Sequence, residues 1–172
     1  MWAILVLAVA MTADGQRRED APGLFPRVRS TERFMISMIR EGYDRSPTFR
    51  ELVDTLQGSN VVVMIQPLPC AGGRIRSCLV SVNGSHRERH IRIKIDPQHT
   101  VGDWLIAAIA HELQHAVEIA ERPDVIDAAS AIALYRRIAF GQCRDGLSEE
   151  CETERALEIE TTVRDELHKA RW

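Results

Sequence analysis

At 172 residues, with 45% hydrophobic and 27% charged residues, the chain has the make-up of one globular domain with its own core. A formal net charge of −3 excludes the basic balance expected of a nucleic-acid binder, and no run of like charges marks an acidic tail.

Residues 2–11 form an apolar run of signal-peptide length, too short for an ordinary membrane span. Small residues follow at cleavage-like spacing (Ala8-Val9-Ala10 or Met11-Thr12-Ala13), and then a polar stretch, although no positive charge opens the run. The expectation is an exported protein, periplasmic or secreted: residues 1–13 as signal peptide, 14–29 with Pro22, Gly23 and Pro26 as linker, and 30–172 as one domain with no stable membrane anchor after cleavage. The alternative is an N-terminal strand or helix packed in the core. Four cysteines, Cys70, Cys78, Cys143 and Cys151, suit an oxidising compartment. The two local pairings, Cys70–Cys78 and Cys143–Cys151, are favoured among the three possible ones; the alternative is buried free thiols.

In chain order, Ser30 or Thr31 is expected to cap a helix reaching about residue 40, with Gly42 as its stop. Ser46 and Pro47 open a second helix carrying Phe49, Leu52, Val53 and Leu56, and Gly58 ends it. Residues 60–66 read as a buried strand, stopped by Pro67 and Pro69. Residues 79–82 and 91–95 read as strands turning at Asn83-Gly84. Asn83-Gly84-Ser85 also matches a glycosylation sequon, but the turn is sufficient to explain it. Ile91, Ile93 and Ile95 face one way, and Arg92 and Lys94 the other.

Thr100 is expected to cap the next helix, whose residues 104–110, Trp104 included, are apolar on every face and so belong in the middle of the domain. The helix continues through Ala120, and Pro123 breaks it. Another helix is expected over 124–140, with Val125, Ile126, Ala129, Ile132, Ala133 and Ile138 as core, and a last one over 151–169. The fold class is α+β: a small mixed or antiparallel sheet packed on a central helix, with further helices around it.

The central helix contains His111-Glu112-Leu113-Gln114-His115, or H-E-x-x-H. Residues four apart lie one turn apart on one face, so His111 and His115 can grip one metal ion, and Glu112 beside them can take a proton from an activated water. A third ligand is needed. At about 100° per residue, Ala156, Ile159, Val163, Leu167 and Ala170 make one apolar stripe, and Glu152 falls on its centre line while Glu160 and Glu166 lie on its edges. A carboxylate on a buried line is costly unless paired or metal-bound, which favours Glu152 as the third ligand over Glu160 and Glu166. Position in the first helical turn is a competing reason for a glutamate there. Tyr135 reads as a buried tyrosine with one hydrogen bond, and His86, His90 and His99 as surface or turn histidines.

This motif, the hairpin before it and the Glu152-Thr153 turn after it resemble the gluzincin branch of the zincin metallopeptidases. The span from about Ile91 to Leu167 looks still more like small exported bacterial proteins of zincin type, in which an HELQHA segment, a segment like Leu134-Tyr135-Arg136-Arg137-Ile138 and a Glu-Thr near the last helix recur. The resemblance implies a zincin-like fold, Zn2+ held by His111, His115 and Glu152, Glu112 as general base, and a peptide or protein substrate. The chain departs from membrane-bound members of that branch in having no spanning helix, and Ala156 where they carry Asp. The alternative is a zincin fold without hydrolysis, a metal-binding or scaffolding protein of the cell envelope. A helical packing domain with an accidental motif is the remaining possibility.

Overall fold

A short strand and two amphipathic helices open the described part of the chain. The computed structural model describes residues 25–70, 76–140 and 151–170. The expected signal peptide therefore lies outside the described residues. Val28–Arg29, the end of the stretch expected to be a linker, adds a short strand, β1, to the sheet. Helix α1 spans Arg33–Arg45 and starts at Glu32 without a side-chain cap, so neither Ser30 nor Thr31 caps it. Gly42 is not its stop but a buried contact point. A Cβ there would stand 2.8 Å from Ile106 Cγ2 and 2.9 Å from the Phe49 ring, so only glycine allows this close approach. Helix α2, Pro47–Gln57, begins as expected: the Ser46 hydroxyl accepts from the Phe49 N–H, and Phe49, Leu52, Val53 and Leu56 are buried.

Strands β2 (Val61–Gln66), β3 (Ser77–Gly84) and β4 (Arg89–Ile95) complete a four-stranded mixed sheet in the order β1-β2-β4-β3. β1 and β4 run parallel to β2, and β3 pairs antiparallel to β4 as an edge strand. Asn83-Gly84 is the end of β3 rather than the turn. Gly84 pairs with Arg89, leaving residues 85–88 as the connection. Gly84 has a φ of +155°, and a Cβ there would stand 2.3 Å from the Glu88 carbonyl oxygen. Ile91, Ile93 and Ile95 are buried as expected. Cys70 and Cys78 are bridged, tying the segment after β2 to the edge strand. Cys143 lies outside the described residues; Cys151 is disulfide-bonded.

Helix α3, Asp103–Ala120, packs on the sheet and against α1, α2 and α5, which explains its apolar faces: every residue from Leu105 to Ile119 is buried. Its start differs from expectation. Gly102, at a φ of +57°, takes the N-cap position, while the Thr100 hydroxyl is buried without a hydrogen-bond partner. Trp104 is not core but 48% exposed, lying against the Arg164 guanidinium 4.5 Å from its ring centre. The reason is position: Trp104 sits in the first turn, before the helix passes under its neighbours.

Helix α4 is shorter than expected, Ala128–Ile138. Asp127 and Ser130 form a reciprocal capping box that sets its start. Ala129, Ala133 and Ile138 are exposed, and its buried face is Ala131, Leu134 and Tyr135. Helix α5 spans Glu154–Lys169, with Thr153 as N-cap. Among the described residues no helix is long and apolar enough to cross a membrane. Among the described residues the architecture is α+β, five helices and a four-stranded mixed sheet.

Candidate metal centre

His111 and His115 lie one turn apart on the most buried helix of the domain, 5% and 6% exposed, with ring centres 4.9 Å apart. The chain reaches them a second time just before α5. Because Thr153 caps that helix, Glu152 is not in its first turn but in the extended segment ahead of it. Its carbonyl oxygen accepts from the Phe140 N–H at 3.0 Å. Glu152 reaches back to the motif: its Oε2 lies 3.0 Å from His111 Nε2. One ligand atom from each of His111, His115 and Glu152 lies within 4.8 Å of the others, so this group could hold a metal ion. All three side chains expected as ligands are thus brought together.

Several buried polar atoms here have no ordinary partner. Glu152 Oε2, His111 Nδ1 and Glu112 Oε2 are shielded from solvent and make no hydrogen bond. The His111–Glu152 contact, and the 3.2 Å approach of Glu160 Oε2 to His111 Nδ1, are therefore close charge contacts without hydrogen-bond geometry. Buried polar atoms left unpaired are costly, and a cation among them would remove much of that cost. Two imidazoles and a carboxylate are also a donor set suited to zinc-like ions.

The electrostatics agree with the geometry. Burial alone would lower the His111 pKa, but the carboxylates of Glu152 and Glu160 outweigh it and hold the ring proton up to about 10. The same ring lowers both carboxyls, against the opposing effect of burial. Burial pushes the Glu112 carboxyl up, with the His115 and His111 rings acting against it. In the metal-free chain a proton thus occupies His111 at neutral pH, and an ion bound through that ring must displace it. Calorimetry near pH 7 in buffers of different ionisation heat is expected to show release of about one proton per metal taken up. Apparent affinity should rise about tenfold per pH unit from neutrality toward the His111 value. Uptake without proton release would mean that the resting ring is already neutral.

The other residues singled out from the sequence have different places. Tyr135 is buried and donates to the His115 carbonyl oxygen at 2.9 Å, a structural role. Glu166 is drawn away to the start of α2, where it accepts from the Thr48 N–H at 3.1 Å and the Thr48 hydroxyl at 2.7 Å. His86, His90 and His99 are outside the centre, with His86 and His90 exposed and His99 paired to Asp96 at 2.8 Å. Two residues were missed. Glu118 stands 3.0 Å from His115 Nδ1, and Thr153 donates to it at 2.7 Å. The available signal was spacing: Glu118 follows His115 by three residues and His111 by seven, which places all three on one helix face. Compared with protein families, curated proteins and solved structures, the chain matches none.

Proposed function

We propose that this chain is a zinc-dependent hydrolase of gluzincin type, a metallopeptidase acting on peptides or proteins in the periplasm or outside the cell. The observation that carries the reading is the convergence of His111, His115 and Glu152 within 4.8 Å, beside a buried Glu112 oxygen that has no partner. Two histidines and one carboxylate leave a fourth position for a water molecule or a substrate oxygen. When bound, zinc supplies Lewis-acid activation of that water at neutral pH. The chain's residues do the remaining work. His111 and His115 orient the site from a helix that the core keeps rigid. Glu112 accepts the proton of the attacking water at Oε2 and delivers it to the departing nitrogen, a role helped by a carboxyl whose pKa burial raises.

The helix-on-sheet arrangement supports a zincin-like fold, and β3 supports a peptide substrate. As the edge strand it has one backbone side not paired to β4, bridged to Asp127 at Asn83 near its end, and the part before that bridge can align an extended chain by strand addition. The Cys70–Cys78 bridge is compatible with export into an oxidising compartment. The test is direct. The purified chain should take up one equivalent of zinc and, so loaded, cleave members of a mixed peptide library. Absence of stoichiometric zinc sinks the reading; zinc uptake with an intact library favours a metal-binding scaffold instead.

A further inference from the structure

The candidate metal centre draws on helix α3 and on the extended segment that leads into α5, and one buried side chain spans the gap between them. Glu118 is 7% exposed and near the end of α3. Its Oε2 lies 3.0 Å from His115 Nδ1. Its Oε1 accepts the Thr153 hydroxyl at 2.7 Å, with the Gln114 amide more distant at 3.5 Å. Thr153 is the residue after Glu152, and its hydroxyl oxygen also accepts from the Ala156 N–H at 3.2 Å as the N-cap of α5.

We infer that Glu118 is a positioning residue for the metal centre, setting the tautomer of His115 with one oxygen and the place of Glu152, through Thr153, with the other. A carboxylate only accepts hydrogen bonds, so Nδ1 of His115 must carry the proton. In the neutral ring, the form that binds a metal, this places the free lone pair on Nε2. This is the arrangement by which a carboxylate behind a histidine orients the ring and strengthens it as a ligand. The second oxygen extends the same control to the other helix. The Thr153 hydroxyl has one proton, which it gives to Glu118, and its lone pair serves the α5 cap. Thr153 therefore stays registered to α3, and Glu152 with it. The inference rests on the metal reading above, but it assigns a task to two residues that the ligand set does not use.

Glu118→Gln separates the two oxygens' roles while preserving size. With its amide oxygen toward Thr153, its NH2 faces His115 Nδ1, makes that nitrogen an acceptor and moves the ring proton to Nε2, which then cannot ligate. Turned the other way, the NH2 faces the Thr153 hydroxyl, whose proton loses its acceptor. Either orientation should weaken zinc binding, whereas the α5 cap survives.

The measurement is zinc affinity by chelator competition on the folded full chain, beside the thermal midpoint of each metal-free variant. Glu118→Gln is expected to weaken zinc binding about 10- to 100-fold. Thr153→Val should weaken it about tenfold, and Thr153→Ser, which keeps the hydroxyl, should restore wild-type affinity. A purely structural role would lower the midpoints and leave zinc affinity within about twofold of wild type, and that result overturns the inference. If Glu118→Gln does not fold, the Thr153→Val and Thr153→Ser pair decides. A wild-type chain that takes up no zinc overturns the metal reading and this inference together. A zinc-binding wild type with indifferent variants overturns this inference alone.

Discussion

Glu112→Gln is expected to keep one zinc per chain and lose about a hundred- to ten-thousand-fold in hydrolysis. The substitution changes little in size and removes only the ability to take a proton. Glu112 is 3% exposed and enclosed on the same helix as both histidines, so the amide should fit where the carboxylate stood. The metal should stay because the donor set of His111, His115 and Glu152 does not include this residue. His115→Ala is the complementary control and should lose the metal and the activity together. It removes a proposed ligand, the same ring that Glu118 faces at 3.0 Å and that packs edge-on to Tyr135 at 5.3 Å between centres. A Glu112→Gln variant that cleaves peptides at the wild-type rate would remove Glu112 as general base, whatever the metal content.

Arg89→Met should lower stability by about 3–5 kcal/mol and the thermal midpoint by about ten degrees. Arg89 begins β4 and is 1% exposed, the largest fully buried side chain in the domain's described part. Its guanidinium closes the end of α3. It donates to the carbonyl oxygens of Ile119 and Arg122 at 2.7 Å, Ala120 at 3.1 Å and Val125 at 3.2 Å, and to Asn60 Oδ1 at 2.6 Å. Helix ends carry unpaired carbonyls and a partial negative charge, and a buried cation answers both. Burial lowers the Arg89 pKa, partly opposed by Asp124, but arginine stays charged throughout the working range. Methionine of similar length fills the space and leaves the carbonyls without donors. A chemical-denaturation value within about 1 kcal/mol of wild type would show that water replaces the guanidinium at little cost.

Arg89 also shows where sequence reading stops. Along β4, isoleucines alternate with Arg92 and Lys94, so Arg89 falls by period on the buried face, a place where arginine is unexpected. Only the approach of the α3 C-terminus, some thirty residues later in the chain, supplies the acceptors that make it tolerable. Gly42 is a similar case. A glycine late in a helical pattern reads as a stop, but here the decisive fact is Ile106 and Phe49 pressing on that spot. Trp104 misled in the opposite direction, because an apolar run says nothing about which of its residues precede the covered part of the helix.

The chain's own residue order determined the elements that rest on local rules. The Ser46-Pro47 start of α2 and the β-branched β2 follow from capping and propensity within a few residues. So do the buried length of α3 and the pairing of His111 with His115 across one turn. Periodicity even ranked Glu152 first among the acidic residues of the C-terminal segment, although Thr153 stops the helix one residue short of it. The tertiary structure alone decided what depends on separate elements meeting. It brought Glu152 to His111, set Glu160 against the ring's other nitrogen, sent Glu166 away to α2 and joined Glu118 to Thr153 across α3 and α5. A helical period gives the direction in which a side chain points, but the distance to its partner is set by how two helices pack, and metal ligation depends on that distance.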